Sequence, residues 1–440
     1  MSTPVHLDLV RTLDEQNIST SIAYEAAHTG AVLVLDGEPF RLPDGRLDRA
    51  RLLAQVRTSL ARVPEFSLRL MMSPLGITTP AWVPVAGFDP ALQVTFDDED
   101  AELTDDTLRS LAGFGGPVLP IDRPLWDIRF TSLSSGEIAL GSRMHHVVGD
   151  GQWGFSVIQR VTSAEPSAPD PSVGFDVPGR APRTSLAVPV HALRAFLRAH
   201  PIGADAWREY WRKPFLKRVK RLAGRNARFA REYWIRRRGL RAVFLPPTHL
   251  SVFEVPASPA ARQAARLRGS LNDLLVAAAM SAVDDDDRGV DVLVPVSHRR
   301  GGAGGDVRNH VSMVRAHGEP GADLAARVAS VRAIVRAVVK GEEVQAAAGR
   351  LVGYATLMPL AEHPVWFGDA LVRHVAIIPA GDPRSEISVF ATVYAETLSV
   401  TVISRLELDV DRMAAAVAAG LTGAARTAGE RSQTAEEAAA

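Results

Sequence analysis

The feature that most limits the fold is a change of character in the middle of the chain. Residues 165–183 turn to Pro, Ser, Ala and Gly, the composition of a surface linker, and separate two stretches that both read as strands and amphipathic helices. At 440 residues the chain is too long for one ordinary hydrophobic core, so this break points to two packed units. The residues predict a mixed α/β (α+β) chain in four parts. These are a first half over 1–164, the linker with a basic helix over 165–245, a second half over 246–426, and a polar tail over 427–440 expected to be disordered.

Composition removes several functions. With 46% hydrophobic and 23% charged residues the chain has the make-up of a soluble globular protein. It has no cysteine, which excludes disulfides, Cys-ligated zinc and acyl-cysteine intermediates. The start Met1-Ser2-Thr3-Pro4 lacks a basic region followed by an apolar core, and no run of about 18 uninterrupted apolar residues occurs, so a cytoplasmic protein is expected.

In the first half, residues 31–35 read as a short strand closed by Asp36-Gly37. Asp48 caps a helix whose Leu52, Val56, Leu60 and Val63 recur every three or four residues until Pro64. Phe66, Leu68 and Leu70 predict one face of a strand. Residues 137–144 alternate Ile138, Leu140, Ser142 and Met144 against Ala139, Gly141 and Arg143, then run into His145-His146. Gly151 opens a helix through Phe155, Ile158 and Val161. The two histidines therefore fall at a strand-to-helix corner, where side chains emerge from a sheet into a cleft. In the second half, 251–255 and 290–296 read as strands around a helix over 271–283 that starts near Asn272 and Asp273. Residues 385–393 and 398–404 form a hairpin or adjacent antiparallel strands, and an Ala-rich helix begins near Asp411.

The corner carries the chemistry. Two histidines followed after three residues by Asp150-Gly151 arise by chance roughly 0.002 times in a chain this long, which weighs against two incidental structural histidines. An imidazole with an ordinary pKa of about 6.5 suits proton transfer from an alcohol or amine, worth ~10²–10⁴ in rate. Adjacent strand residues point to opposite sides, so His145 and His146 are expected to do different jobs. Asp150 can orient the corner through an ion pair, and Gly151 allows close backbone approach. A metal needs further ligands at suitable spacing, which the sequence lacks, so neither metal nor cofactor is expected.

The stretch His145-His146-x-x-x-Asp150-Gly151 resembles the HHxxxDG signature of CoA-dependent acyltransferases and nonribosomal-peptide condensation domains. Pro124-Leu125-Trp126 resembles the PLW motif of the bacterial wax ester synthase/diacylglycerol acyltransferase family, and Asn272-Asp273 its ND motif. Pro295-Val296-Ser297-His298-Arg299 is similar to its PVSxR stretch, and Asn309-His310-Val311-Ser312 in part to its GNxxS. The chain departs from that pattern at Arg308, where the family has Gly, and at 358–364, where it has an Asn-x-x-Gly-Pro element. The resemblance implies two chloramphenicol-acetyltransferase-like domains forming a pseudo-dimer with a central tunnel. It implies that His146 deprotonates an acceptor hydroxyl that attacks an acyl thioester directly, and that Asp150 is structural, with Arg299 as its candidate partner. Asn272 is a candidate on the substrate side, with a helix N-cap as its plain alternative.

The resemblance implies acyl-CoA as donor and a long-chain alcohol or diacylglycerol as acceptor. Two other readings stay open at this level: ester or amide formation on a specialised metabolite from a carrier-bound or CoA donor, and a non-catalytic acyl- or lipid-binding scaffold. A further feature is electrostatic. From Arg194 to Arg241 there are sixteen Arg and Lys against three acids, a local charge of +13 in a chain of net charge zero. Over 207–241 these residues read as a basic amphipathic helix. Such a helix can meet an anionic membrane surface, dock an acidic carrier protein or the phosphates of CoA, or simply pack with solvated charges. Its aromatics fall on the apolar face and no recognised motif is present, so no nucleic-acid partner is expected.

Overall fold

The computed structural model describes residues 5–10, 28–97, 99–113, 119–170, 173, 179–199, 224, 227, 249–283, 288–297, 311–342, 349–379, 385–404, 406 and 408–423. The tail over 427–440, Arg299, Asn309-His310 and, apart from the helical positions Gly224 and Ala227, the basic segment 207–241 lie outside the described residues.

The elements of the first half are β1 (Asp8–Leu9), β2 (His28–Leu35), α1 (Arg49–Leu60), β3 (Leu68–Met71), β4 (Ala81–Pro84), β5 (Val94–Phe96), α2 (Asp105–Leu111), β6 (Trp126–Ser132), β7 (Ile138–His145) and α3 (Gly151–Val161). Helix α4 (Ala187–Ala199) follows. The second half holds β8 (His249–Pro256), α5 (Ala257–Arg266), α6 (Leu271–Ser281), β9 (Val290–Ser297), β10 (Val311–Gly318), α7 (Leu324–Lys340), β11 (Arg350–Ala361), β12 (Trp366–Phe367), β13 (Ala370–Ile378), β14 (Ile387–Tyr394), β15 (Thr397–Ser404) and α8 (Val410–Thr422).

Among the described residues two six-stranded sheets organise the fold, in the orders β12-β13-β2-β7-β6-β5 and β10-β9-β11-β14-β15-β8, with a small sheet β1-β4-β3 beside them. The first sheet is covered on both faces, which explains the unbroken apolar run of β2. Leu33 and Leu35 join the core beneath α1 and α3, while Val32 and Val34 pack with Leu108 and Leu111 of α2 and with Leu250 and Ile403 of the second sheet. In the second lobe α6 is the central helix. Its residues from Leu274 to Met280 are fully buried, as a helix apolar all round must be.

The lobes are interleaved. Strand β13, from the second half, pairs antiparallel with β2 and so completes the first sheet. The Tyr394 hydroxyl, at the end of β14, donates to the Val372 carbonyl at 2.7 Å and accepts from the Val365 N–H at 3.0 Å, pinning this crossing. The architecture is the expected two-lobed mixed α/β one. Two local readings change. The segment carrying Phe66 begins as a 3-10 turn over Pro64–Ser67 before β3 starts. The helix expected over 271–283 runs from Leu271 to Ser281, and its N-cap is Ser270 in a reciprocal capping box with Asp273, so Asn272 is not the cap.

Candidate active site

Strand β7 alternates as the sequence predicts, with Leu140, Ser142 and Met144 on the face toward α1 and α3, and it ends at His145. His145 is buried. Its backbone N–H donates to the Leu125 carbonyl at 2.9 Å, tying the corner to the Pro124-Leu125-Trp126 stretch. The chain then turns: the His145 carbonyl accepts from the Val148 N–H at 2.9 Å, and its ring Nδ1 accepts from the Val147 N–H at 3.0 Å. This turn carries His146 to the opposite side from His145, where it lines a cavity of about 640 Å³. The two histidines thus occupy separate environments.

Asp150 caps α3, its Oδ1 accepting from the Trp153 N–H at 2.9 Å while the side chain is buried. The cap fixes where the helix starts and hence where the 145–148 turn must end. Gly151 follows at the point where α3 meets the other lobe, since a Cβ there would come within 2.9 Å of the Met358 sulfur on β11. Gln159 Nε2 on α3 donates to the Leu360 carbonyl of β11 at 2.9 Å, so helix and strand are linked again two turns later.

The cavity draws its walls from both lobes. Leu33, Phe66, Trp126, Phe155 and Ile158 come from the first half, and Pro295, Met313, Thr356, Met358 and Phe390 from the second. The lining is mainly apolar and its volume lies in the range of small-molecule sites. Trp126 is set by a hydrogen bond from its Nε1 to the Phe66 carbonyl at 2.8 Å and by stacking on the Phe66 ring, with centroids 5.2 Å apart. Its role is to pack the wall.

One charged pair on the wall is held firmly. The Arg143 guanidinium, with a side chain 8% exposed, pairs with Asp127: its Nε donates to Oδ1 at 3.0 Å and its Nη2 to Oδ2. Asn272 does not line the cavity. Its Oδ1 accepts from the Leu357 N–H at 3.0 Å, just beyond the point where β11 stops pairing with β9, so it supports the strand segment that forms part of the wall. The arrangement can therefore hold an apolar molecule beside one imidazole. His28 and the Asp127–Arg143 pair were missed in the sequence; an arginine within an otherwise apolar strand is the signal that marks the pair.

Comparison with known proteins agrees with this fold. The profile of the wax ester synthase/diacylglycerol acyltransferase catalytic domain matches residues 13–285. No functionally curated protein matches the chain. Among solved structures, the wax ester synthase/diacylglycerol acyltransferase from Marinobacter aquaeolei VT8 superposes with a TM-score of 0.60 at 13% identity, covering 94% of this chain and 98% of that one. The first condensation domain of the calcium-dependent antibiotic synthetase, in complex with a substrate analogue, gives 0.60 at 18% identity over 96% and 98%. The starter condensation domain of rhizomide synthetase, a mutant in complex with C8-CoA, gives 0.55 at 12% over 94% and 93%. These structures share the two-lobed fold along nearly their whole length. With a family profile matching more than half of the sequence, including the double-histidine corner, the chain belongs to the wax ester synthase/diacylglycerol acyltransferase family.

Proposed function

We propose that the protein transfers a fatty acyl group from acyl-CoA to a hydroxyl acceptor, a long-chain alcohol or diacylglycerol, with His146 as general base. The observation that carries this reading is the place of His146 on an apolar cavity built from both lobes. His146 takes the proton of the acceptor hydroxyl as its oxygen attacks the thioester carbonyl. The new C–O bond forms, the C–S bond breaks, and the imidazolium returns the proton to the departing thiolate of CoA. The N-terminus of α3 borders the cavity at Gly151. Apolar walls suit the chain of the donor, each buried methylene contributing about 0.8 kcal/mol. A starter condensation domain of the same fold holding C8-CoA supports a thioester donor.

The basic segment is assigned to an anionic membrane surface. Leu186, Val190 and Leu193, at and just before α4, are exposed at 60%, 48% and 58%, and they lead directly into the run of charge +13. Among the described residues no helix is long and apolar enough to cross a membrane.

The test is a screen for release of free CoA thiol, pairing several acyl-CoAs with alcohols, diacylglycerol and amines. His146→Ala is expected to lower turnover by about 10²-fold or more with folding intact. Unchanged turnover removes His146 from its role, and no turnover with any pair favours a binding scaffold. Equal sedimentation with anionic and neutral vesicles removes the electrostatic account of the basic segment.

A further inference from the structure

His28 stands at the first position of β2, directly opposite His145 at the last position of β7. The two rings meet edge to face, with centroids 5.8 Å apart and planes at 78°, and both are buried. Leu119 donates its backbone N–H to His28 Nε2 at 3.5 Å. Burial, then the nearby Arg143 and His145, push the His28 imidazole from 6.5 down to about 2, so the ring is neutral near pH 7. With Nε2 accepting, the single proton of that neutral ring sits on Nδ1.

His145 has its own constraint. Its Nδ1 accepts from Val147, so the ring must keep that nitrogen unprotonated, and a proton there would open the turn that presents His146. Neither ring lines the cavity. We propose that His28 is a positioning residue: its ring is the wall that holds the His145 imidazole in register, so that the turn over 145–148 delivers His146 to the cavity. The inference rests on the reading of His146 as the base. It gives the first histidine of the double pair a definite task, clasping the turn, and gives that clasp a support from a strand more than a hundred residues earlier.

The test uses the full chain labelled with ¹⁵N-histidine, assigned by single replacements, together with turnover of the best acyl-CoA and alcohol pair. His28→Ala is expected to lower kcat about 10- to 100-fold, as a displaced catalytic group does, while KM for both substrates stays within about twofold. The unprotonated Nδ1 signal of His145 is expected to shift. His28→Phe, which restores a flat ring, is expected to recover most of the lost kcat. If His28→Ala does not fold, His28→Gln takes its place and is expected to show the same loss. Parental kcat and an unchanged His145 signal in a folded variant lacking the ring, with only a lower Tm, overturn the proposal. His146→Ala is run alongside: if it keeps parental turnover, the base assignment fails, while the His145 signal still decides the task of His28.

Discussion

Replacing Asp150 by Ala and, separately, by Asn divides two accounts of the aspartate in the double-histidine motif. In the structure its Oδ1 caps α3 through the Trp153 N–H at 2.9 Å, and the side chain is 4% exposed. Losing a cap of this kind costs about 1 kcal/mol, and losing a negative charge at a helix N-terminus costs about 0.3–1 kcal/mol more. Asp150→Ala should therefore lose about 2 kcal/mol. Asn caps as well as Asp does, so Asp150→Asn loses only the charge and should cost less than about 1 kcal/mol. If instead the residue matters chiefly as half of a buried ion pair, with Arg299 as the partner that family resemblance implies, either replacement strands a charge and costs about 3–5 kcal/mol. Urea unfolding at pH 7, read with a constant m-value, measures both losses, and turnover of the same samples reports the position of His146. The cap account predicts that Asn restores stability and turnover together. Equal losses of 3 kcal/mol or more for both variants would refute it.

Three further outcomes are expected. Between pH 6.5 and about 2 the unfolded chain binds a proton at His28 that the folded chain excludes, so this residue lowers stability by about 1.4 kcal/mol for each pH unit of acidification and has no effect above 6.5. His28→Gln should flatten the acid limb of a urea-unfolding series by one proton, and parallel slopes would contradict the neutral ring. Asp105, where α2 meets β8, accepts from the Val252 N–H at 3.1 Å, and burial raises its carboxyl above the usual range. Its contribution is favourable below the ordinary carboxylate pKa and is lost as pH rises through the raised one. Asp105→Asn keeps the acceptor, so it should raise Tm at pH 7 by about 1–2 °C, a small effect because solvent screens the site, and leave Tm unchanged at pH 3; a lower Tm at pH 7 counts against this. Ala31 on β2 faces the cavity, and Ala31→Phe should move the preferred acyl-CoA to shorter chains with stability retained, while an unchanged chain-length profile would place the acyl chain elsewhere.

Much of the site was legible because the relevant order is local. The alternation of β7 is a period-two pattern that runs without a break into His145, and the turn that follows keeps His146 on the opposite side. Asp48 and the helix it caps were likewise readable from adjacent residues. What sequence does not display is contact between distant segments. His28 gains meaning only from its register with His145, and Asn272 only from Leu357, 85 residues away. The segment 358–364 reads as a departure from a motif, yet most of it belongs to the long strand β11. Gly353, whose missing side chain admits the Ile387 carbonyl of β14, and Pro359 interrupt the alternation that would have announced it.

The pairing of β13 with β2 has a consequence for how the protein is made. Strand β2 leaves the ribosome roughly 340 residues before its neighbour is complete, which at ~5–20 residues per second is a wait of roughly 20–70 s. During that time its outer backbone groups form a bare edge, open to strands of other nascent chains. A fragment cut where the family profile ends, at residue 285, keeps the double histidine but never receives that partner. The end of the profile match and the end of a folding unit are thus different things here, and a shortened first half should come out of cells as aggregate.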